Sequence, residues 1–297
     1  MNKFFFHVLF LLILLSCSNA NSNKAKEPKD FALPAVPVII SDQQESYKYI
    51  ANNYWKDFDF SDSLAYKQTT LQIFTGFLNI LQNVDLQTAL QSIETMMHKA
   101  ETDSIAYIRL VNFCEKYLYG ANSPYRSDEF YVPVLQSIVS TDIIDENNKI
   151  IAEYRLKMAL KNRIGEQAAD FDYTLASGAT HKLYDIKTDF TLLFINNPGC
   201  NACMEYTEKM QTSMLIQQLL KEKLLTILAV YPDEDLTEWK NHQSQIPKNW
   251  INAYDKKLAI RHDEIYDLRA IPTLYLLDKD KKVLLKDTFV DSVERYF

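Results

Sequence analysis

Residues 191–206 read TLLFINNPGCNACMEY, and this stretch decides how the C-terminal half of the chain folds. Its first seven residues form an apolar run typical of a buried β-strand, and a helical pattern follows from Met204 to about Leu220. Cys200 and Cys203 therefore lie where a strand ends and a helix begins. Because unpaired backbone N–H groups at a helix N-terminus favour negative charge, this position stabilises a thiolate at Cys200.

The spacing of the two cysteines predicts complementary roles for them. Cys200 is the nucleophile that forms a mixed disulfide with a partner. Cys203 lies one helical turn further in, and it can attack that mixed disulfide and release the partner. The sequence thus predicts a redox-active Cys200–Cys203 disulfide as the working group, with no separate cofactor.

The main alternative for a cysteine pair at this spacing is half of a zinc site, which would need a second Cys/His pair. His181, His242 and His262 show no paired metal-ligand spacing, and Cys114 lies in the other half of the chain. The sequence therefore favours redox chemistry and predicts no metal.

Strands and helices alternate after the cysteine pair, which indicates an α/β sheet with crossover connections. The patterns predict a strand over 224–231, a short helix through Trp239, a helix near 263–268, strands over 274–277 and 282–287, and a short last helix over 290–296.

The N-terminal half has the 3.6-residue apolar periodicity of six helices. Ser41 and Gln44 form a capping-box pair for the first helix, and Pro133 is placed in the first turn of the fifth. Cys114 is interpreted as a buried small hydrophobe. We find no catalytic constellation in this half, which could bind a partner or position one. The predicted fold class is a two-domain α+β protein, with an all-helical domain over residues 41–162 and an α/β domain over 163–297.

Residues 1–17 read MNKFFFHVLFLLILLSC, a basic start followed by an apolar run of signal-peptide length. The ending Leu14-Leu15-Ser16-Cys17 resembles the lipobox of bacterial lipoproteins. That resemblance implies cleavage before Cys17 and attachment of lipid to its thiol. The alternative is an ordinary cleaved signal with a chance cysteine.

Residues 18–40 predict a polar tether and then an extended, proline-containing segment that leads into the helical domain. The mature protein is therefore expected on the periplasmic side of the cell envelope, held to a membrane by its lipid. Ser18 directly after Cys17 favours the outer membrane. The net charge of −7 and the lack of a dense basic stripe argue against nucleic acid as a partner.

Three motifs in order resemble TlpA-like and ResA-like thiol–disulfide oxidoreductases across about residues 164–297. They are IGEQAADF (164–171), SGATHKLYDI (177–186) and YDLRAIPTLYLLD (266–278). The resemblance implies a thioredoxin-like fold for this domain. It also implies that Pro272 follows a cis peptide bond and faces the cysteine pair, so that Ile271, Pro272 and Thr273 form the substrate groove.

The chain departs from that family at three places. Gly199 stands where the family usually has tryptophan, and Asn201-Ala202 stands where proline is common. Phe194 stands where a buried polar or acidic group often moves protons for the second thiol. The helical half resembles a domain of unknown function rich in YWKDFDFSD-like sequence, here residues 54–62, which brings no activity with it.

The sequence therefore predicts an envelope-anchored thiol–disulfide oxidoreductase. Its expected partners are thiol or disulfide protein substrates and a redox donor or acceptor protein. The sequence does not decide between reduction and oxidation of the substrate. The alternative, motivated by Gly199 and Phe194, is a lipoprotein binding or scaffold module with this fold and little turnover. A peroxidase-like use of Cys200 is disfavoured, because a CxxC pair favours internal resolution.

Overall fold

A computed structural model describes residues 29–63, 66 and 68–297. The predicted signal segment, the lipobox and the lipid-attachment residue Cys17 lie outside the described residues. Within the described part of the chain, no helix has the length and apolar character needed to cross a membrane.

The N-terminal domain is built from six α-helices, and a single π-helical turn over Glu115–Tyr119 follows the fourth. The helices are α1 (Gln43–Asn53), α2 (Thr70–Leu81), α3 (Leu86–Ala100), α4 (Ser104–Cys114), α5 (Asp128–Ser140) and α6 (Glu146–Ala159). A side-chain oxygen caps the N-terminus of each helix by accepting a backbone N–H, which satisfies a donor that has no partner inside the helix.

Two predictions about where helices begin are wrong. The N-cap of α1 is Asp42, whose carboxylate accepts the Glu45 N–H at 2.9 Å, and not Ser41. A carboxylate both accepts this hydrogen bond and complements the positive end of the helix dipole. Pro133 is the sixth residue of α5 and lies beyond the first turn, because Ser127 caps the helix at an earlier position.

An aromatic cluster fills the core of the helical domain. Phe77 is fully buried on α2, and its ring centre lies 5.1 Å from that of Tyr54 and 5.3 Å from that of Trp55. Cys114 is also fully buried in this core, which confirms its interpretation as a small hydrophobe.

The C-terminal domain is one seven-stranded sheet with helices packed against it. Its strands are β1 (Asp172–Leu175), β2 (Thr180–Lys182), β3 (Phe190–Ile195), β4 (Leu225–Tyr231), β5 (Ile251–Tyr254), β6 (Thr273–Asp278) and β7 (Val283–Leu285). Its helices are α7 (Asn201–Thr212), α8 (Met214–Lys221), α9 (Leu236–Asn241), α10 (Ala259–His262) and α11 (Val290–Tyr296).

The order of strands across the sheet is β2-β1-β5-β4-β3-β6-β7. Strands β3, β4 and β5 are parallel, whereas β6 runs antiparallel to β3 with Thr273 opposite Ile195. Strand β3 is thus central, with every residue after Phe190 buried, as its apolar run predicts. The predicted fold class, a helical domain followed by an α/β domain, is confirmed.

Three elements of this domain differ from the sequence prediction. The helix predicted from Met204 to about Leu220 is interrupted at Ser213, which separates α7 from α8. Strand β5 was not predicted, because its four residues carry too short an apolar pattern. The prediction of a helix near 263–268 is wrong, because the structure has a shorter helix, α10, which ends at His262. The Asp255 carboxylate starts α10 early by accepting the N–H groups of Lys257 at 3.1 Å and Ile260 at 2.7 Å. The last helix, Val290–Tyr296, is confirmed.

Replacing Phe77 by alanine should lower the free energy of unfolding by about 3–5 kcal/mol, because the change leaves a cavity in the aromatic core. Urea denaturation followed by far-ultraviolet circular dichroism measures the change. The control is Ile105→Ala, at a side chain that is 69% exposed, where we expect a change within about 0.5 kcal/mol. Equal effects of the two substitutions would contradict this packing.

Candidate redox site

The junction between β3 and α7 positions the cysteine pair. Strand β3 ends at Ile195, and the Asn196 backbone N–H extends its pairing with β4 by donating to the Val230 carbonyl at 3.0 Å. The chain then turns through Gly199, whose φ of +72° favours glycine, and α7 begins one residue after Cys200. The cysteine pair is therefore held at the end of a buried strand inside the sheet.

Cys200 is the N-cap residue of α7. Its Sγ accepts the backbone N–H of Cys203 at 3.3 Å, the contact that an oxygen makes in an ordinary cap. An anionic sulfur at this position is stabilised by the same N–H group and by the positive end of the helix.

The two thiols have different surroundings. Cys200 is half-buried, whereas Cys203 is 5% exposed and its Sγ accepts the Asn197 N–H at 3.5 Å. Burial raises the pKa of the Cys203 thiol well above its ordinary range, more than the Asn197 hydrogen bond lowers it. Both cysteines are free thiols in this structure. The arrangement presents one sulfur to a partner and keeps the other protonated beneath the surface.

The loop before β6 lies against the first thiol. The Ile271–Pro272 peptide bond is cis, as the family resemblance implied. Cys200 Sγ lies 3.9 Å from the Ile271 carbonyl oxygen, and Thr273 Oγ1 donates to the Ala270 carbonyl at 2.6 Å. The structure therefore brings the carbonyl of Ile271, one of the three predicted groove residues, to the predicted nucleophile.

Phe194 contributes no proton-transfer group to the site. Its side chain is fully buried in the apolar cluster that also contains Cys203, and its ring packs edge-on against Trp250 with centres 6.2 Å apart. The side chains packed around Cys203 are therefore apolar, and this burial accounts for the raised pKa of the Cys203 thiol.

Sequence reasoning missed a His–Glu pair beside the cysteines. A Cβ added to Gly199 would lie 3.4 Å from Glu238 Oε1, so the carboxylate on α9 borders the position where the family has tryptophan. His242 Nδ1 lies 3.2 Å from Glu238 Oε1 and 2.9 Å from the Glu238 carbonyl oxygen. In the sequence, only the missing side chain at Gly199 pointed to this pair, because Glu238 and His242 are far from the cysteines along the chain.

Cys203 and His242 both line a cavity of about 230 Å³. Cys203 and Thr207 line one side of it, and Trp239, His242 and Asn252 line the other. This volume accommodates several water molecules, and the amide and imidazole groups in its wall can hydrogen-bond to them. Cys203 thus shares a cavity with polar wall groups that include His242.

In a Cys200→Ser variant, we expect iodoacetamide to modify Cys203 slowly at about pH 7, because the thiolate is the reactive form and the raised pKa keeps this thiol protonated. The rate should climb only when the pH exceeds about 8.5, where an ordinary cysteine is already half ionised. Mass spectrometry of the modified peptides measures the rate. In the matched Cys203→Ser variant the half-buried Cys200 should react faster, so equal rates at every pH would contradict the asymmetry.

Family models match both halves of the chain. Residues 16–162 match a domain of unknown function, DUF5106, and residues 188–283 match a thioredoxin-like family. The structure is similar to the crystal structure of a thioredoxin-like protein from Bacteroides caccae, with 42% sequence identity and a TM-score of 0.83, over 90% of this chain and 97% of that one.

Two further relatives each match less than half of this chain. One is the crystal structure of the C-terminal domain of an uncharacterized protein from Bacteroides fragilis, with 52% identity and a TM-score of 0.45, over 46% of this chain and 96% of that one. The other is the thiol-disulfide oxidoreductase ResA of Bacillus cereus, 30% identical over an alignment of 132 residues that covers 42% of this chain and 70% of that protein. Together with the geometry at Cys200, this similarity shows that the chain belongs to the thioredoxin-like thiol–disulfide oxidoreductase family that includes ResA.

Proposed function

We propose that the chain is an envelope-anchored thiol–disulfide oxidoreductase that exchanges disulfides with partner proteins through Cys200 and Cys203. The observation that carries the proposal is the placement of Cys200 Sγ, which caps α7 and lies 3.9 Å from the Ile271 carbonyl oxygen. Membership of the family supports the same chemistry.

The reducing direction proceeds in two exchanges. The Cys200 thiolate attacks one sulfur of a substrate disulfide, an S–S bond forms between them, and the other substrate sulfur leaves as a thiolate that takes up a proton. Cys203 then loses its proton and attacks Cys200 Sγ, which forms the Cys200–Cys203 disulfide and releases the second substrate thiol. Two electrons have passed to the substrate, and a redox partner protein restores the dithiol. The oxidising direction is the reverse.

The groove beside Cys200 provides for the protein substrate. Ile271 and Pro272 lead directly into β6, which begins at Thr273, and the Ile271 carbonyl lies 3.9 Å from Cys200 Sγ. An extended segment of a substrate can pair with the backbone of the half-buried Ile271, which aligns the substrate disulfide with the nucleophile. Recognition through backbone groups suits a range of protein substrates.

The second exchange needs an acceptor for the Cys203 proton. We assign this role to His242, acting through water in the cavity that both residues line, because Phe194 offers no proton-transfer group. Glu238 contacts His242 Nδ1, which leaves Nε2 available to the cavity. Glu208, the other titratable residue in the cavity wall, lies on the exposed side of α7.

A His242→Gln substitution should slow the resolving exchange, because glutamine cannot accept the Cys203 proton. Stopped-flow reaction of the reduced protein with a disulfide substrate measures this step. His262→Gln is the matched control, because His262 forms a comparable contact with Glu234, at 3.4 Å, and does not line the cavity. If His242→Gln does not change the rate of the resolving exchange, His242 has no part in the mechanism.

Trapping tests the proposed function itself. A Cys203→Ala variant should accumulate mixed disulfides with partner proteins, because Cys200 can still attack but nothing resolves the product. Non-reducing electrophoresis of an envelope extract measures the adducts, and a Cys200→Ser/Cys203→Ala control should form none. If the wild-type protein does not cycle between dithiol and disulfide faster than free thiols do, the scaffold alternative replaces this proposal.

The envelope location rests on Cys17 and the residues around it. We propose that lipid on the Cys17 thiol holds the protein to the outer membrane, with residues 18–40 as the tether. A Cys17→Ala variant should leave the membrane fraction, and labelling with an alkyne fatty acid should mark the wild-type protein alone. Incorporation of the label into the variant would contradict this anchor.

A further inference from the structure

Arg269 is the centre of a buried ion network just before the substrate groove. Its guanidinium contacts Asp287 Oδ2 at 2.8 Å and Asp267 at 3.7 Å, both from the same domain. It also forms an ion pair with Asp128, the first residue of α5 in the helical domain. The helical domain thus supplies one of the three carboxylates that hold this arginine.

Asp128 is held by a second cation of the C-terminal domain. Lys286 Nζ lies 2.9 Å from Asp128 Oδ2, and it donates to the carbonyls of Ala159 at 2.7 Å and Lys161 at 2.6 Å. Burial raises the pKa of the Asp128 carboxyl, but Arg269 and Lys286 together outweigh burial and hold that pKa below its ordinary value. One carboxylate of the helical domain therefore forms ion pairs with two buried cations of the C-terminal domain.

Aromatic rings add directional contacts on both sides of the network. The Arg269 guanidinium carbon lies 4.6 Å from the centre of the Tyr119 ring, which belongs to the helical domain. In the other direction, Arg126 of the helical domain donates to the Asp287 carbonyl at 2.7 Å and lies 4.6 Å from the centre of the Phe289 ring. The helical domain thus contacts the segments before β6 and after β7.

Arg269 is close in sequence to the backbone carbonyl that lies beside Cys200 Sγ. Only Ala270 separates Arg269 from Ile271, whose carbonyl lies 3.9 Å from Cys200 Sγ. Thr273 Oγ1 closes this short loop by donating to the Ala270 carbonyl. Because buried ion pairs have a narrow range of favourable geometries, the position of Arg269 limits the positions open to the groove residues.

We propose that the helical domain is a positioning element of the redox site, in which Asp128 holds Arg269 and thereby fixes the Ile271–Pro272 loop opposite Cys200. This inference rests on the proposed thiol–disulfide exchange and assigns a role to the domain of unknown function. Asp128 touches neither the substrate nor the sulfur atoms, so it acts through Arg269.

The test compares two reactions of the full-length chain. Asp128→Asn removes the charge that Arg269 and Lys286 share while keeping the size of the side chain. We expect kcat/KM for reduction of a protein disulfide such as insulin to fall by about tenfold or more, chiefly through KM, because the groove no longer aligns the substrate. Alkylation of Cys200 by iodoacetamide needs no groove, and its rate should stay near that of wild type.

Lys157→Met is the matched control, because Lys157 also forms an ion pair across the domain boundary, with Glu264 at 2.9 Å, but its side chain is 60% exposed and Glu264 is not part of the Arg269 network. It should change neither reaction. Asp128→Glu, which keeps the charge, should recover part of the lost activity. If Asp128→Asn does not fold by circular dichroism, Arg269→Lys is put through the same two reactions, because it keeps the charge but loses the forked contacts.

Backbone amide hydrogen exchange over residues 269–274 gives a readout besides activity. Exchange should be faster in Asp128→Asn than in Lys157→Met. Equal exchange in these two variants, or equal losses in both reactions, would overturn the positioning role while leaving the proposed function intact. An inactive wild-type protein would instead overturn the proposed function, and this inference with it.

Discussion

The N-terminus of α7 has backbone N–H groups with no partner inside the helix, and the sulfur of Cys200 accepts one of them. This contact depends on the position of the helix, which follows directly from the central strand β3. It also depends on the antiparallel pairing of β3 with β6, which places Thr273 opposite Ile195 and the cis-proline loop beside the sulfur. The sheet thus serves to hold one helix end and one loop at a fixed separation.

The asymmetry between the two thiols follows from the same placement. Cys200 takes the cap position at the surface, while Cys203 faces the apolar layer that contains Phe194. A buried thiol that stays protonated does not compete with Cys200 for the incoming disulfide. Cys203 and His242 line the same cavity, which is the basis for proposing His242 as the proton acceptor in the absence of an acidic residue at Phe194.

Features that depend on neighbouring residues could be predicted from the sequence, and features that depend on distant residues could not. The strand-to-helix junction at Cys200, the six helices and the last helix follow from local periodicity. The position of α10 depends on Asp255, and the short β5 depends on its pairing with β1 and β4. Glu238 reaches Gly199 only through the fold, and the pairing of Asp128 with Arg269 joins residues that no local pattern connects.

The buried ion network at the domain boundary limits how far the two halves of the chain can be treated as interchangeable modules. A C-terminal domain joined to a different helical partner would keep Arg269 and Lys286 but would lack the carboxylate of Asp128 between them. Conversely, a helical domain with another partner would keep Asp128 near its surface without the two cations. Recombination between such proteins would therefore preserve this arrangement only when both halves are inherited together, and co-inheritance of these three residues is a criterion for recognising relatives built in the same way.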